Sequence, residues 1–341
     1  MSQFRNLVFE GGGVKGIAYA GALAVLEQQK IMPDIKRVAG TSAGAISATL
    51  VALGADSHKV GAIVGGTQFR QFMDDSFGVI RDMNRLLNDY GWYKGDAFSA
   101  WMQKQAYALC QNSGVTFAEM AEMAAAPGSN YKELYVVGTN LSLQLPQVYS
   151  VETTPDFPVW EAVRISMSIP LFFAAVKLAN GSQVLVDGGV TWNYPLDLFD
   201  DRKYLVNQAA GVDPKKLGYT TVYDDNHVYN KETLGLRVDT QDEIAAEKSH
   251  WHLPPQEIKD FFDYIKALVS FMNDMANRLH LHDSDWHRTI AIDAGGVGTT
   301  EFDLSDDKVN MLIANGRKGV QEYFNWFNDP KVKPAPLNRM P

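Results

Sequence analysis

Residues 7–16 read LVFEGGGVKG and residues 37–44 read RVAGTSAG, and these two stretches decide the fold. Each begins with a short apolar run, which is typical of a buried parallel strand. In each, glycine and other small residues follow, and then apolar residues at helical spacing continue to about residue 29 and residue 53. This order of strand, turn and helix, met twice, predicts an α/β fold with a mostly parallel central sheet.

The rest of the chain continues the mixture of strands and helices. Strands are predicted over 133–137, 147–150, 183–186 and 288–292, and helices over 159–167, 258–279 and 305–327. Residues 56–127 are expected to be mainly helical, and Ser305 is the expected N-cap of the last helix. Residues 200–256 are more polar and predict an irregular loop region, and the proline-containing tail is expected to fray.

Composition limits the partners and the compartment. The 31 basic and 40 acidic residues give a net charge of −9, which argues against nucleic acid because neutralising phosphates requires a basic surface. Cys110 is the single cysteine, so no intrachain disulfide and no multi-cysteine metal site can form. No signal peptide or confident membrane span is recognised. We therefore expect a cytoplasmic protein, with signal-independent secretion as an effector left open.

The glycine loop GGGVKG at residues 11–16 has three interpretations. It is a tight turn, a dinucleotide-binding loop of G-x-G-x-x-G spacing, or a set of backbone N–H groups that binds an oxyanion. A dinucleotide site needs an acidic residue near the end of the second strand. That strand ends in Val38-Ala39-Gly40, and Asp34 precedes it. This argues against a nicotinamide cofactor and leaves the other two interpretations.

The stretch GTSAG at residues 40–44 matches the nucleophile-elbow pattern G-x-S-x-G. A serine on a sharp turn between strand and helix projects its hydroxyl above the sheet, and such a turn leaves room only for glycine two residues to either side. The helix that starts there directs its positive dipole end at a developing oxyanion. Ser42 is therefore a candidate nucleophile.

An elbow serine needs a base, and the sequence offers two kinds. Six of the seven histidines lie in the last third, so the order Ser…Asp…His of many hydrolases is available, although His280 and His282 are better explained as residues at a helix end. The triplet DGG at residues 187–189 closes an apolar strand. We expect that strand to be parallel, which places Asp187 at its carboxyl end, on the same sheet edge as Ser42. The alternative is an ordinary Asp-Gly turn.

Taken together, these motifs resemble the patatin-like phospholipase family, which carries a glycine-rich oxyanion loop, a G-x-S-x-G elbow and a D-G-G or D-G-A triplet in this order. The segment SMSIP at residues 166–170 and the triplet NYP at residues 193–195 also match family patterns. The resemblance covers about residues 6–198. It implies a three-layer α/β/α variant of the α/β-hydrolase architecture over this core. Residues 199–341, which carry no family motif, are expected to form a C-terminal extension of a late strand and two long helices packed on the same domain.

For the site, the resemblance implies a Ser–Asp dyad in which Ser42 is the nucleophile and Asp187 is the base. It assigns the oxyanion-hole N–H groups to the glycine loop and to the residue after the nucleophile, namely Gly11, Gly12, Gly13 and Ala43. It assigns supporting positions to Lys15, Gly16, Gly40, Gly44, Gly188 and Gly189. No metal and no organic cofactor is expected.

The resemblance implies a phospholipid or another acyl-lipid substrate, cleaved to fatty acid and lysolipid, with transient contact to a membrane surface. An acyl chain needs an apolar cleft or an interfacial surface. Candidate stretches are residues 69–90, residues 258–272 and Leu171-Phe172-Phe173, with core packing as the alternative for the first two. Two other functions stay open: a small-ester hydrolase in which a late histidine completes a triad, and an inactive lipid-binding module on the same scaffold.

Overall fold

The computed structural model describes residues 2–73, 85–178, 181–207, 210–219, 225–249, 255 and 257–340. Its strands are β1 (Asn6–Phe9), β2 (Arg37–Thr41), β3 (Gly91–Tyr93), β4 (Glu133–Asn140), β5 (Leu145–Tyr149), β6 (Leu171–Phe173), β7 (Val176–Leu178), β8 (Gln183–Asp187), β9 (Gly211–Val212), β10 (Tyr229–Asn230), β11 (Thr233–Asp239) and β12 (Thr289–Asp293). Its helices are α1 (Ala18–Gln28), α2 (Ala43–Ala52), α3 (Ser57–Gly65), α4 (Asp96–Cys110), α5 (Phe117–Ala125), α6 (Val159–Ser166), α7 (Gln241–Ser249), α8 (Phe261–His280) and α9 (Asp306–Asn328).

A central eight-stranded sheet organises these elements. Its order is β12-β11-β1-β2-β4-β8-β7, with β5 paired to β4. All neighbours from β12 to β4 are parallel, while β5, β7 and β8 are antiparallel additions. The predicted α/β fold with a mostly parallel central sheet flanked by helices is therefore confirmed.

Alternating residues of the central strands face two different cores. Leu7 and Phe9 of β1 pack in the larger core, which also holds buried residues of α1, α2, α6 and α9. Val8 points to the other face, where it joins a smaller cluster with Tyr194 and Phe199. The segment that covers this second face, residues 194–204, contains two short 3₁₀ turns.

The direction of β8 differs from the sequence expectation. We expected a parallel strand, but β8 runs antiparallel to β4 and pairs Asp187 with Gly138. On β4, the neighbour β2 reaches only as far as the pair Thr41–Val137, and β5 occupies the opposite side of β4. β8 therefore pairs with β4 on the same side as β2, beginning where the pairing with β2 ends. The carboxyl ends of β8 and β2, at Asp187 and Thr41, consequently lie next to each other.

The predicted loop region over residues 200–256 is wrong for β11. This strand lies between β1 and β12, and all seven of its residues are buried. Its apolar run is interrupted by Gly235 and Arg237, which hid it from a pattern search. Gly235 is required because the hydroxyl of Tyr194 lies where a Cβ would be. The charge of Arg237 is paired with Glu10 and Asp239. Both reasons are long-range contacts.

The chain end is also better ordered than expected. Asn338 is fully buried and donates a hydrogen bond to the hydroxyl of Tyr323 at 2.9 Å, and the N–H of Leu337 donates to Nδ1 of His287. The prediction of a frayed tail is therefore wrong for these residues, while Pro341 lies outside the described residues. The predicted cap of α9 is confirmed, because the Ser305 side chain accepts from the N–H of Lys308.

Candidate active site

The turn between β2 and α2 holds Ser42 in an unusual backbone conformation, with φ 53° and ψ −126°. Two glycines make this turn possible. A Cβ on Gly40 would lie 2.3 Å from the carbonyl oxygen of Gly44, and a Cβ on Gly44 would lie 2.4 Å from the carbonyl oxygen of Phe9. The backbone strain is typical of a functional turn that its surroundings hold in place.

Ser166 ties this turn to the sheet. The N–H of Ser42 donates to Oγ of Ser166 at 2.8 Å, and that hydroxyl donates to the carbonyl of Val137 at 2.6 Å. Both serines are buried. The sequence marked Ser166 only as part of a family pattern, and the structure gives it a positioning contact with the elbow.

Asp187 ends β8 beside the elbow, with 4% of its surface exposed. The N–H of Gly189 donates to its Oδ1 at 2.7 Å. Burial raises the pKa of Asp187 to about 7, although the Gly189 N–H and the Ser42 hydroxyl both lower it. At that pKa the carboxylate is a much stronger base at neutral pH than an exposed aspartate.

Ser42 and Asp187 face each other without a formed hydrogen bond. Oδ2 of Asp187 is buried and has no donor in the described part of the chain. Oγ of Ser42 lies 3.6 Å from Sδ of Met167, yet it is near enough to Asp187 to influence its pKa. Hydrogen bonds of this kind are often long in enzymes without substrate and tighten on binding.

The glycine loop begins at the carboxyl end of β1 and is clamped by Asn193. The N–H of Gly11 donates to the carbonyl of Asn193, and the Asn193 amide donates back to the carbonyl of Gly11 and to Glu10. The Gly11 N–H is thus engaged, whereas Gly12 and Gly13 line the cleft in front of Ser42. Ala43 is the first residue of α2, where a helix leaves its N–H groups without an intrahelical partner.

Lys15 anchors the other end of the loop. It is buried and pairs with Asp239 at 3.5 Å and Glu243 at 3.9 Å. Burial lowers the pKa of Lys15, but the charges of Asp239, Glu243 and Glu10 outweigh this effect and raise it. Because Asp239 ends β11 and Glu243 lies on α7, this lysine connects the loop to the C-terminal part of the chain.

Ser42 and Asp187 open into one narrow cleft. Its lining combines the glycine loop, the SMSIP segment and α8: Gly12, Gly13, Ser42, Ile169, Pro170, Asp187, Val190, Val269, Met272, Asn273 and Thr299. Its volume of about 10 Å³ is roughly what one water molecule needs. Four of these residues lie beyond residue 200, in a region where the sequence showed no motif.

The remaining predicted site residues surround this cleft. Gly16 packs against Ala43 beneath the glycine loop, and Gly188 packs against the ends of β4 and β2. Gly189 lies beside Asn273 of α8. Of the predicted acyl-pocket residues, Phe172 and Phe173 are buried among aromatic rings of the core. Phe77 and Ile80, from the predicted apolar stretch over residues 69–90, lie outside the described residues.

The late histidines do not line the cleft in the described part of the chain. His280 contacts the carbonyl of Thr191 and stacks on Trp192. His282 caps a 3₁₀ turn, and His287 accepts the N–H of Leu337. His250 and His252 lie outside the described residues. Among the residues described, no group of three His, Cys, Asp or Glu side chains could hold a metal ion.

The family model described as patatin-like phospholipase matches residues 7–200, which is more than half of the sequence. The chain belongs to the patatin-like phospholipase family. As a member of this family it is associated with lipid hydrolysis in general, and the matched region contains the glycine loop, the elbow and the DGG triplet.

Similar proteins match over nearly the whole chain or over part of it. The uncharacterized protein YqhO of Bacillus subtilis is 29% identical over 327 residues, covering 92% of this chain and 96% of that protein. A probable lipid hydrolase, 463L of Invertebrate iridescent virus 6, is 23% identical and covers 57% of this chain and 63% of its own length. The crystal structure of VipD from Legionella pneumophila shares the fold, with a TM-score of 0.56, 16% identity, and coverage of 95% of this chain and 67% of VipD.

Proposed function

We propose that this patatin-like chain is a lipid acyl hydrolase that cleaves carboxylic ester bonds of phospholipids or related glycerolipids through an acyl-serine intermediate. Ser42 is the nucleophile and Asp187 is the base. The observation that carries the proposal is a strained, buried serine that lines the same cleft as a buried carboxylate, one of whose oxygens has no donor among the described residues. Buried, perturbed groups in a cleft are typical of catalytic sites.

In the first half-reaction, Oγ of Ser42 attacks the acyl carbonyl carbon and its proton passes to Oδ2 of Asp187. The carbonyl oxygen becomes an oxyanion, which accepts hydrogen bonds from the N–H groups of Gly12 and Gly13, with Ala43 as a further donor. The C–O bond to the glycerol backbone then breaks, and the leaving alkoxide takes the proton from Asp187. Losing one oxyanion donor typically costs about 3 kcal/mol of transition-state stabilisation.

In the second half-reaction, a water molecule gives a proton to Asp187 and attacks the acyl-serine. Ser42 Oγ leaves, takes the proton back, and the fatty acid is released. The raised pKa of Asp187 suits both steps, because a base that accepts and returns a proton near neutral pH works best with a pKa near that pH.

The test combines labelling and turnover. One sample of wild-type protein is treated with a fluorophosphonate probe, and a separate, untreated sample is assayed on a panel of phospholipids and neutral lipids, with products identified by mass spectrometry. We expect labelling on Ser42, and we expect Ser42→Ala and Asp187→Asn each to lower turnover at least about a thousandfold. Circular dichroism spectra of both variants should match the wild type.

His280→Ala serves as the control for the alternative triad. It should retain turnover within about twofold, because His280 stacks on Trp192 outside the cleft. The small-ester triad would be supported instead if a variant of a late histidine lost all turnover while Asp187→Asn retained it. Absence of any labelling or turnover in folded protein would support the inactive lipid-binding module.

The location of the reaction is also a proposal. No helix of the described chain is both long and apolar enough to cross a bilayer. We propose that the protein reaches its substrate by transient contact with a lipid surface. Action in the cytoplasm and action after signal-independent secretion are both compatible with this chemistry.

A further inference from the structure

Helix α8 has apolar residues on two sides. On the inner side, Ile265, Val269 and Ala276 are buried, and Val269 and Met272 line the cleft. On the outer side, large apolar residues recur at spacings of three, four or seven and therefore lie along one line of the helix. This outer stripe consists of Phe261, Tyr264, Phe271, Met275 and Leu279, all of them exposed.

Other exposed apolar residues lie on the same side of the molecule. Leu141, Leu143 and Leu145 are exposed in the turn from β4 to β5. Because β4 is parallel to β2, this turn follows the sheet edge at which Ser42 lies. Tyr90 is also exposed, and its ring contacts Lys177 of β7, the strand paired to β8. Exposed apolar side chains therefore lie on the helix that lines the cleft and on two segments next to strands of the same sheet.

The charges of α8 differ from those of the chain as a whole. The helix carries two acidic residues, Asp263 and Asp274, and two basic residues, Lys266 and Arg278, so its formal net charge is zero. The whole chain has a net charge of −9. A neutral helix with an uncharged outer stripe suits a surface whose attraction is apolar rather than ionic.

We propose that the outer stripe of α8, together with the leucines of the β4–β5 turn, docks the protein on a zwitterionic lipid bilayer. This inference rests on the proposed function, since the same helix lines the cleft that holds Ser42 and Asp187. Docking places the cleft mouth against the surface that holds the substrate. A second copy of the chain on the same stripe would instead cover that mouth.

The experiment measures docking without catalysis. Ser42→Ala protein is mixed with phosphatidylcholine vesicles and separated by flotation, at low salt and at 1 M NaCl. We expect binding that changes little with salt, because screening weakens ionic but not apolar attraction. Adding Phe271→Glu should lower the bound fraction at least about tenfold, since a charge is placed in the apolar contact.

Val206→Glu is the matched control, because Val206 and Phe271 have the same exposed fraction, 61%. Val206 lies at the opposite edge of the sheet, where its N–H donates to Glu232 near the start of β1. This variant should float like its parent. In proteins that retain Ser42, the ratio of vesicle turnover to turnover of a soluble short-chain ester should fall about tenfold for Phe271→Glu and stay unchanged for Val206→Glu.

The outcomes separate the two proposals. Flotation of the parent without any ester turnover in the Ser42 protein defeats the proposed function and leaves docking intact. Equal flotation of parent and Phe271→Glu overturns docking, whatever the turnover. Light scattering that shows a dimer, dissociated by Phe271→Glu with flotation unaffected, assigns the stripe to a second copy and also overturns docking.

Discussion

Asp187 and Asp200 are both buried carboxylates, but they differ in the number and charge of their hydrogen-bond donors. Asp200 accepts two hydrogen bonds from the guanidinium of Arg288, at 2.5 and 2.7 Å, and one from the N–H of Asn230. Asp187 accepts one from the N–H of Gly189, and its second oxygen has no donor in the part of the chain described. The first carboxylate is fully paired inside an ion cluster, whereas the second belongs to the cleft that Ser42 also lines.

The distribution of cations explains the difference. Burial raises the pKa of both carboxyls, and only for Asp200 does a neighbouring cation, Arg288, oppose it. Lys15 lies on the glycine loop near the cleft but is held by Asp239 and Glu243. A buried carboxylate that lacks a cation partner is costly to ionise, and such a cost is retained where chemistry needs it.

The largest stability effect is expected at the paired carboxylate. Arg288→Met should leave Asp200 and Asp285 buried without their shared cation, and it should destabilise the protein by about 3–5 kcal/mol. Lys318→Met, which removes an exposed ion pair with Glu322, should cost less than about 1 kcal/mol. Urea denaturation of both variants measures the contrast. Equal midpoints would show that the cluster around Asp200 contributes no more than a surface pair.

Asp187, in contrast to Asp200, should make the folded protein less stable when it is ionised. Because the folded-state pKa of Asp187 is raised from 3.8 to about 7, its stabilising contribution is present below pH 4 and is lost as the pH rises to about 7. Asp187→Asn removes that loss, so the variant should be more stable than wild type at pH 7.5, by about 1–4 kcal/mol. The gap should shrink toward pH 5.

Thermal unfolding at both pH values measures this gap, and Asp303→Asn is the control, since the Asp303 side chain is 88% exposed. The difference in stability between Asp303→Asn and wild type should be the same at pH 5 and at pH 7.5. An Asp187→Asn protein that is less stable than wild type at pH 7.5 would mean that Asp187 has a charged partner after all.

The smallest expected effect is the dependence of kcat/KM on pH. In the proposed mechanism Asp187 accepts the serine proton only when ionised, so kcat/KM should rise with pH and level off above about pH 7. Between pH 7 and pH 5 the loss should approach a hundredfold, about tenfold per pH unit. A soluble ester substrate keeps lipid packing out of the measurement. A profile flat down to pH 5 would assign the base to a group with an ordinary carboxylate pKa.

Local patterns predicted the elbow and the glycine loop because their requirements lie within a few residues. A strand, a turn without room for side chains and a helix start are all encoded between residues 37 and 53, and the structure has β2, Ser42 and α2 there. The N-cap Ser305 was predictable for the same reason. Patterns failed at β11, whose glycine and arginine make sense only beside Tyr194, Glu10 and Asp239.

By itself, then, the sequence determined the parallel strands β1, β2, β4 and β12, the two glycine-bearing turns and the family. Only the tertiary structure decided how Asp187 reaches Ser42: β8 arrives antiparallel, on the side of β4 that β2 vacates. It also decided that Asp187 is buried, which raises its pKa to about 7, and that α8 lines the cleft. Strand direction, burial and the placement of a distant helix depend on contacts between remote residues, which no local pattern records.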